Sequence, residues 1–132
     1  MPFLLDTVTL SDLVRNPLGR VASRIAEVGE AEICTSVIVA SELRFGALKR
    51  GSPALTDRVN GTLARLSVRA FEPPADDRYA EVRLGLERAG TPIGGNDLLI
   101  AAHALALGQV LVTDNVREFS RVRGLVVENW LS

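Results

Sequence analysis

Phe3-Leu4-Leu5-Asp6-Thr7 is a short apolar run that stops abruptly at a carboxylate. A charged side chain at the end of a buried strand needs a partner that compensates its charge. In parallel α/β sheets, the carboxyl ends of the strands border the crevice in which ligands bind. We therefore expect a first parallel strand that ends at Leu5 and a functional site that includes Asp6.

Three later acids fall where the same crevice would receive them, namely Glu42, Asp97 and Asp114. Asp114 follows an apolar run just as Asp6 does, and Asp97 follows two glycines and an asparagine at the start of an apolar helical segment. Carboxylates at close range raise one another's pKa or require a cation between them. Oxygen ligands without His or Cys suit a hard divalent ion, so the sequence predicts Mg²⁺ or Mn²⁺.

Composition limits the chain to an ordinary globular protein. With 132 residues, of which 47% are apolar and 23% charged, the chain is expected to form a single domain over residues 1–132. The net charge of -1 provides no overall basic field. A nucleic-acid partner would therefore be held by a local patch of arginines rather than by general attraction.

The chain's single cysteine and its apolar segments indicate the compartment. Cys34 cannot form an intrachain disulfide, which favours a reducing cytoplasm. The apolar stretch 98–112 is interrupted by His103, Gly108 and Gln109. It is shorter than the roughly 20 residues that a membrane helix needs, so we expect no membrane span.

Apolar periodicity and turn residues predict strands that alternate with helices along the chain. The predicted strands cover residues 3–5, 32–35, 67–71, 109–113 and 125–128. The predicted helices cover residues 10–15, 18–28, 37–49, 55–66, 75–89 and 97–107, with a turn or short helix at 116–119. This alternation predicts a three-layer α/β/α sandwich with a mainly parallel sheet and right-handed crossovers.

Two of the acids have other interpretations. We expect Glu42 to share an apolar helix face with Ile38, Val39 and Phe45, but it could also be a surface acid paired with Arg44 or Arg50. Asp97, or the preceding Asn96, could act only as a helix cap.

Basic residues near the acids have more than one interpretation as well. Arg117, Arg121 and Arg123 could meet phosphates or pair with Glu118 and Glu128. His103 lies six residues after Asp97, about 120° around the helix, so we expect a hydrogen-bonded core or surface histidine outside the site.

Acids around a divalent ion, without a Ser-His or Cys-His pair, favour a metal-activated water that attacks a phosphodiester. The chain lacks a Walker loop and a strand-anchored Gly-x-Gly-x-x-Gly motif, which argues against nucleotide-fuelled enzymes. A phosphoaspartyl protein that uses Asp6 as nucleophile is a weaker alternative. Its expected second Asp is replaced by Val8, and the only lysine, Lys49, lies in the middle of the chain.

Four sequence blocks in the same order resemble those of the PIN-domain ribonucleases, in particular the VapC-type toxins of bacterial toxin–antitoxin pairs. The resemblance covers nearly the whole chain. The blocks are Leu4-Leu5-Asp6-Thr7, Ser41-Glu42-Leu43-Arg44-Phe45-Gly46, Pro92-Ile93-Gly94-Gly95-Asn96-Asp97 and Leu111-Val112-Thr113-Asp114-Asn115-Val116-Arg117-Glu118-Phe119.

The resemblance implies a PIN-like α/β/α fold and a Mg²⁺- or Mn²⁺-dependent endoribonuclease. It also implies a homodimer that a cognate antitoxin protein neutralises. Asp6 and Asp97 match the principal metal ligands of the family, and Glu42 matches its second acid. Pro92-Ile93-Gly94 and Val127-Glu128-Asn129-Trp130 look most like the toxins that cut tRNA.

The chain departs from the family pattern at Val8, where Asn is usual, and at Asn115, where many relatives have an acid. Asp114 or Glu118 would then supply the fourth acid, and the sequence slightly favours Asp114. Thr7, Thr113, Asn115 and Glu118 are further candidates for the site. These departures also leave open a catalytically weakened module that acts by binding its antitoxin or RNA.

Overall fold

A computed structural model of the protein describes residues 2–132, and its centre is one sheet of five parallel strands. The strands are β1 (Phe3–Leu5), β2 (Ile33–Ser36), β3 (Ser67–Arg69), β4 (Val110–Val112) and β5 (Val127–Glu128). Their order across the sheet is β3-β2-β1-β4-β5, so β1 lies in the middle. Leu4 of β1 is in register with Cys34 of β2 and with Leu111 of β4.

Helices connect the strands, in agreement with the predicted alternation. They are α1 (Thr7–Arg15), α2 (Arg20–Val28), α3 (Val37–Arg50), α4 (Pro53–Ala64), α5 (Ala75–Arg88), α6 (Gly95–Leu107) and α7 (Val116–Phe119). A short 3₁₀ turn, Glu30–Glu32, precedes β2. Because parallel crossovers are right-handed, α1 to α4 and the α5–α6 pair belong to opposite faces of the sheet, and α5 packs closely on α6.

Helices α1, α3 and α4 are each capped by the side chain of the residue that precedes them. Asp6 accepts from the backbone N–H of Thr9 at the start of α1, and Ser36 accepts from Ile38 at the start of α3. Ser52 caps α4 in the same way, with Pro53 in the first turn. These caps hold the first turns of α1 and α3 beside the strand ends from which they emerge.

The central strands β1 and β4 are continuous apolar runs because both faces of the sheet are covered there. Leu4, Leu5, Leu111 and Val112 are fully buried at the centre of the core. The apolar helix α6 lies deep, as predicted, and His103 on it is a buried core histidine. Among residues 2–132, no helix combines the length and hydropathy needed to cross a membrane.

Several predicted boundaries and faces were wrong. Helix α1 begins at Thr7 rather than Leu10, because the cap at Asp6 starts it three residues earlier. Leu18 precedes α2 and is 95% exposed. Phe45 is 66% exposed, so it does not share the buried face of α3.

The C-terminal segment is part of the core. Trp130 is 3% exposed and its ring lies 5.1 Å from that of Phe3. Arg24 stacks over Trp130 and pairs with Glu128 at 3.3 Å. Glu128 therefore does not pair with the arginines at 117, 121 and 123, which form no ion pair within the described residues.

Candidate metal centre

The candidate site lies where β1 and β4 end. Asp6 follows β1 and continues its pairing with β4, since its N–H donates to the carbonyl of Val112 over 3.0 Å. Thr113 and Asp114 follow β4 at the same edge. Parallel strands thus deliver both segments to one edge, as the sequence predicted.

The Asp6 carboxylate is buried, with 5% exposure. One of its oxygens, Oδ1, accepts from the N–H of Thr9 over 2.9 Å. Burial raises the pKa of Asp6, hydrogen bonds from Thr113 and Thr9 oppose this rise, and the negative charge of Asp114 adds to it. Asp6 is therefore both the cap of α1 and a carboxylate that a cation would stabilise.

Glu42 reaches the site from the middle of α3. Its Oε1 accepts a hydrogen bond of 2.5 Å from the hydroxyl of Thr7, and its side chain is half-buried. Within residues 2–132 it forms no ion pair with Arg44 or Arg50, and Arg44 donates instead to Asn60. The interpretation of Glu42 as an ion-paired surface acid is thus not supported.

Asp97 lies in the first turn of α6 and faces the other acids. Burial raises its pKa to about 7, with further contributions from the charge and hydrogen bonding of Glu118 and from the charges of Glu42 and Asp6. The first turn of α6 has no side-chain cap, so Asp97 does not serve as one. Its carboxylate is the point at which the surrounding negative charges converge.

Glu118 is held beside Asp97 by its neighbours. One carboxylate oxygen accepts from the N–H of Gly94 over 3.3 Å, and the other accepts from the side-chain amide of Asn115. The N–H of Asn115 in turn donates to the hydroxyl of the buried Thr113 over 3.0 Å. Thr113, Asn115 and Glu118 therefore form one connected group that positions an acid next to Asp97.

Asp114 lies at the margin of this arrangement. Its side chain is exposed, and its charge is the smallest of the influences on Asp6 and is not among those that act on Asp97. The structure thus brings together Asp6, Glu42, Asp97 and Glu118. Of the two candidates for the fourth acid, Glu118 interacts with Asp97 through its charge and a hydrogen bond, whereas Asp114 does not.

The donors present fit a hard divalent cation. They are carboxylate and hydroxyl oxygens, and the raised pKa of Asp97 reflects first its burial and then the neighbouring carboxylates, with no basic side chain among its causes. No three His, Cys, Asp or Glu side chains among residues 2–132 form a ready-made cage. Mg²⁺ in proteins often uses only one or two carboxylates, together with several waters and substrate phosphates.

The sequence interpretation missed the contribution of Thr9. Its N–H binds Asp6, and its hydroxyl donates to the carbonyl of Val112 over 3.1 Å, so it ties the start of α1 to β4. The pattern that could have revealed it is an Asp at a strand end followed three residues later by the N–H that it caps. The N–H of Gly94 was missed because only the fold brings it to Glu118.

Comparison with known proteins gives consistent similarities. A sequence profile described as the PIN domain matches residues 3–125. The chain is 35% identical over 131 residues to a protein of Salmonella typhimurium named tRNA(fMet)-specific endonuclease VapC, and the match covers 98% of each chain.

Two solved structures superpose closely on this fold. One is VapBC2 from Rickettsia felis bound to a DNA fragment from their promoter, with a TM-score of 0.90, 32% identity, and coverage of 98% of this chain and 99% of that chain. The other is DNA-bound VapBC from Salmonella typhimurium, with a TM-score of 0.89, 35% identity and 98% coverage of each chain.

Proposed function

Since the chain belongs to the PIN domain family, among its VapC-type ribonucleases, we propose that it is a metal-dependent endoribonuclease acting as the toxin of a toxin–antitoxin pair. The observation that carries this proposal is that three other carboxylates, those of Glu118, Glu42 and Asp6, act on the partly buried Asp97, whose pKa is raised to about 7. Such crowding destabilises the site by itself and is relieved by a divalent cation.

In this proposal Asp6, Asp97 and Glu42 hold Mg²⁺ or Mn²⁺, with Glu118 rather than Asp114 as the fourth acid. When bound, the ion supplies positive charge that lowers the pKa of a water and offsets charge developing on the phosphate. Asp6 offers Oδ2, because Oδ1 is engaged by Thr9. Thr7 orients Glu42, and Asn115 and Gly94 orient Glu118.

We further propose tRNA as the substrate, because the similar Salmonella typhimurium protein is named a tRNA(fMet)-specific endonuclease. The partner we propose is an antitoxin protein, since similar chains have been solved as VapBC complexes. We also propose a homodimer, on the basis of the family resemblance. We propose the cytoplasm as its compartment, because Cys34 is a free thiol. Burial raises the pKa of this thiol to about 11, so it is unreactive.

Cleavage of tRNA by the purified chain tests the proposal. We expect cleavage with Mg²⁺ or Mn²⁺, none with EDTA, and a loss of at least a hundredfold in Asp6→Asn and Asp97→Asn. Asp76→Asn is the matched control, because Asp76 is exposed and also lies in the first turn of a helix, away from the site. Cleavage that persists in EDTA or in Asp6→Asn would reject the metal mechanism.

A second candidate is a weakened module that binds RNA or antitoxin without turnover. Val8, next to the site, is 44% exposed and offers no hydrogen bond to the acids. Tight RNA binding without cleavage at millimolar Mg²⁺ would favour this version. The phosphoaspartyl alternative has less support, because Asp6 is buried and one of its oxygens caps a helix.

A further inference from the structure

A groove of about 600 Å³ runs between α1, α3 and α4, and we call it the helix groove. One end lies at Thr7 and Glu42, the pair joined by a hydrogen bond beside the candidate site. Three arginines, Arg15, Arg50 and Arg58, line its walls. The groove therefore begins at the acidic site, but its walls carry positive charge.

The helix groove follows matched stripes on two helices. Thr7, Ser11 and Arg15 are spaced by four residues on α1, and Glu42, Gly46 and Arg50 are spaced identically on α3, with all six lining the groove. Residues four apart share one face of a helix. Each stripe rises about 12 Å from its polar end at the site to its arginine, since a helix rises about 1.5 Å per residue.

The arginines of the helix groove are free to bind an anion. Arg15, Arg50 and Arg58 are exposed, and none forms an ion pair within residues 2–132. By contrast, several arginines elsewhere are paired with carboxylates, namely Arg24, Arg65, Arg78 and Arg83. Among residues 2–132, Glu42 is the only acid that lines the groove, and it lies at the end next to the candidate site.

We propose that the helix groove holds the sugar-phosphate backbone of the RNA strand on one side of the scissile bond, with these arginines on its phosphates. This proposal rests on the proposed function. Guanidinium groups bind phosphate oxygens bidentately, and a strand leaving the site needs a positively charged path. The small residues Ser11 and Gly46, at the middle of the two stripes, leave room for a backbone.

Salt dependence of RNA binding tests the charges. A fluorescein-labelled single-stranded RNA of mixed sequence is titrated with protein in EDTA, at several salt concentrations. The logarithm of the association constant decreases with the logarithm of the salt concentration. We expect this decrease to become shallower by about 2 in Arg15→Gln/Arg50→Gln/Arg58→Gln, because each phosphate contact contributes about 0.7 to the slope for single strands. The triple variant is expected to bind at least about tenfold more weakly at moderate salt.

A matched control removes the same charge elsewhere. Arg20, Lys49 and Arg88 are exposed and form no ion pair within residues 2–132, and none lines the helix groove. Arg20→Gln/Lys49→Gln/Arg88→Gln is expected to change the slope by less than 0.5. An equal loss of RNA affinity and of salt dependence in both triple variants would show that binding depends only on net charge, and would overturn the proposal.

A steric test leaves the charges untouched. A Cβ added at Gly46 meets nothing within 4 Å, so Gly46→Leu can fold while its side chain fills the groove. Gly85→Leu is the matched control, since Gly85 is a helical glycine that is equally open and lies on α5. We expect Gly46→Leu, but not Gly85→Leu, to weaken RNA binding at least fivefold, and equal binding by both would contradict the proposal.

Cleavage kinetics separate this proposal from the proposed function. If the wild-type chain cleaves tRNA and the groove triple variant has a raised KM with kcat within twofold, both are supported. If the wild type cleaves and the KM of the triple variant is unchanged, only the helix groove is rejected. Loss of antitoxin binding in the triple variant with RNA affinity unchanged would also reject it, and would assign the groove to a peptide.

Discussion

The hydroxyl of Thr7 donates a hydrogen bond of 2.5 Å to Oε1 of Glu42, although 35 positions separate the two residues in sequence. Thr7 is the first residue of α1 and Glu42 lies within α3, so this contact joins two helices at the candidate site. It fixes the orientation of an acid that lacks any ion pair within residues 2–132.

Replacing Thr7 by Val tests this contact. We expect Thr7→Val to lower tRNA cleavage or metal affinity by roughly 10- to 100-fold, because a carboxylate loses the partner that orients it. The stability loss is expected to be about 1 kcal/mol, typical of one hydrogen bond. Thr7→Ser keeps the hydroxyl and should retain activity within a factor of three. Calorimetric titration measures the metal affinity, and initial rates measure tRNA cleavage. Equal rates in Thr7→Val and wild type would contradict this role.

The fourth acid can be identified by a paired comparison. We expect Glu118→Gln to reduce cleavage at least tenfold, because Glu118 is held against Asp97 by Gly94 and Asn115. Asp114→Asn should reduce it less than threefold, since Asp114 is exposed and its charge acts weakly on Asp6. Rates at saturating Mg²⁺ decide the order, and a larger loss in Asp114→Asn would assign the position to Asp114.

Asp97 is expected to make the metal-free protein less stable as the pH rises from about 4 to about 7. Its pKa is about 7 in the folded chain and 3.8 as the ordinary value, so the folded state retains a proton that the unfolded state has released. A group of this kind favours folding at low pH, and its contribution is lost as the pH rises through that window. Urea denaturation in EDTA at several pH values measures the slope of the free energy of unfolding against pH.

Two variants check the assignment of that slope. Asp97→Asn should flatten it, whereas Asp76→Asn should leave it unchanged, because Asp76 is exposed in the first turn of α5. Added Mg²⁺ should stabilise the wild type more at pH 8 than at pH 6, since protons compete with the cation for Asp97. If Asp97→Asn keeps the wild-type slope, another group is responsible.

His103 is expected to make the protein less stable as the pH falls, which is the opposite of the effect of Asp97. It is 1% exposed, and Nδ1 lies 2.8 Å from the hydroxyl of Ser36 at the start of α3. Burial lowers its pKa, so folding keeps the ring neutral and stability is lost as the pH falls below about 6.5, the ordinary value for histidine. In an Asp97→Asn background, adding His103→Gln should remove this loss of stability at acid pH. A decline that persists in the double variant would exclude His103 as its cause.

The sequence predicted the parallel α/β sandwich and placed Asp6 at its carboxyl edge, because an apolar run that ends in an acid reveals that edge. Glu42 and Asp97 lie on helices, and their roles in the site stay predictions, although the charges of Glu42 and Asp6 both act on Asp97. For the fourth acid the sequence slightly favoured Asp114, whereas we propose Glu118. That choice depends on how α7 is oriented by the contacts of Glu118 with Gly94 and Asn115, and the contact with Gly94 crosses 24 positions. Strand periodicity carries no information about such a contact.

The wrong prediction for Phe45 also has a geometric reason. The buried stripe of α3 includes Val39, Leu43 and Ala47, which are four residues apart. Phe45 is two residues from Leu43, about 200° around the helix, so it faces solvent. Apolar character alone suggested burial, whereas the angular position excludes it.

The double role of Asp6, as helix cap and site acid, has a genetic consequence. Asparagine caps a helix about as well as aspartate, so Asp6→Asn should keep the first turn of α1 while removing a charge that the site needs. A single G-to-A transition in an Asp codon yields Asn. Under the proposed function, one point mutation would therefore abolish the activity while leaving the fold intact.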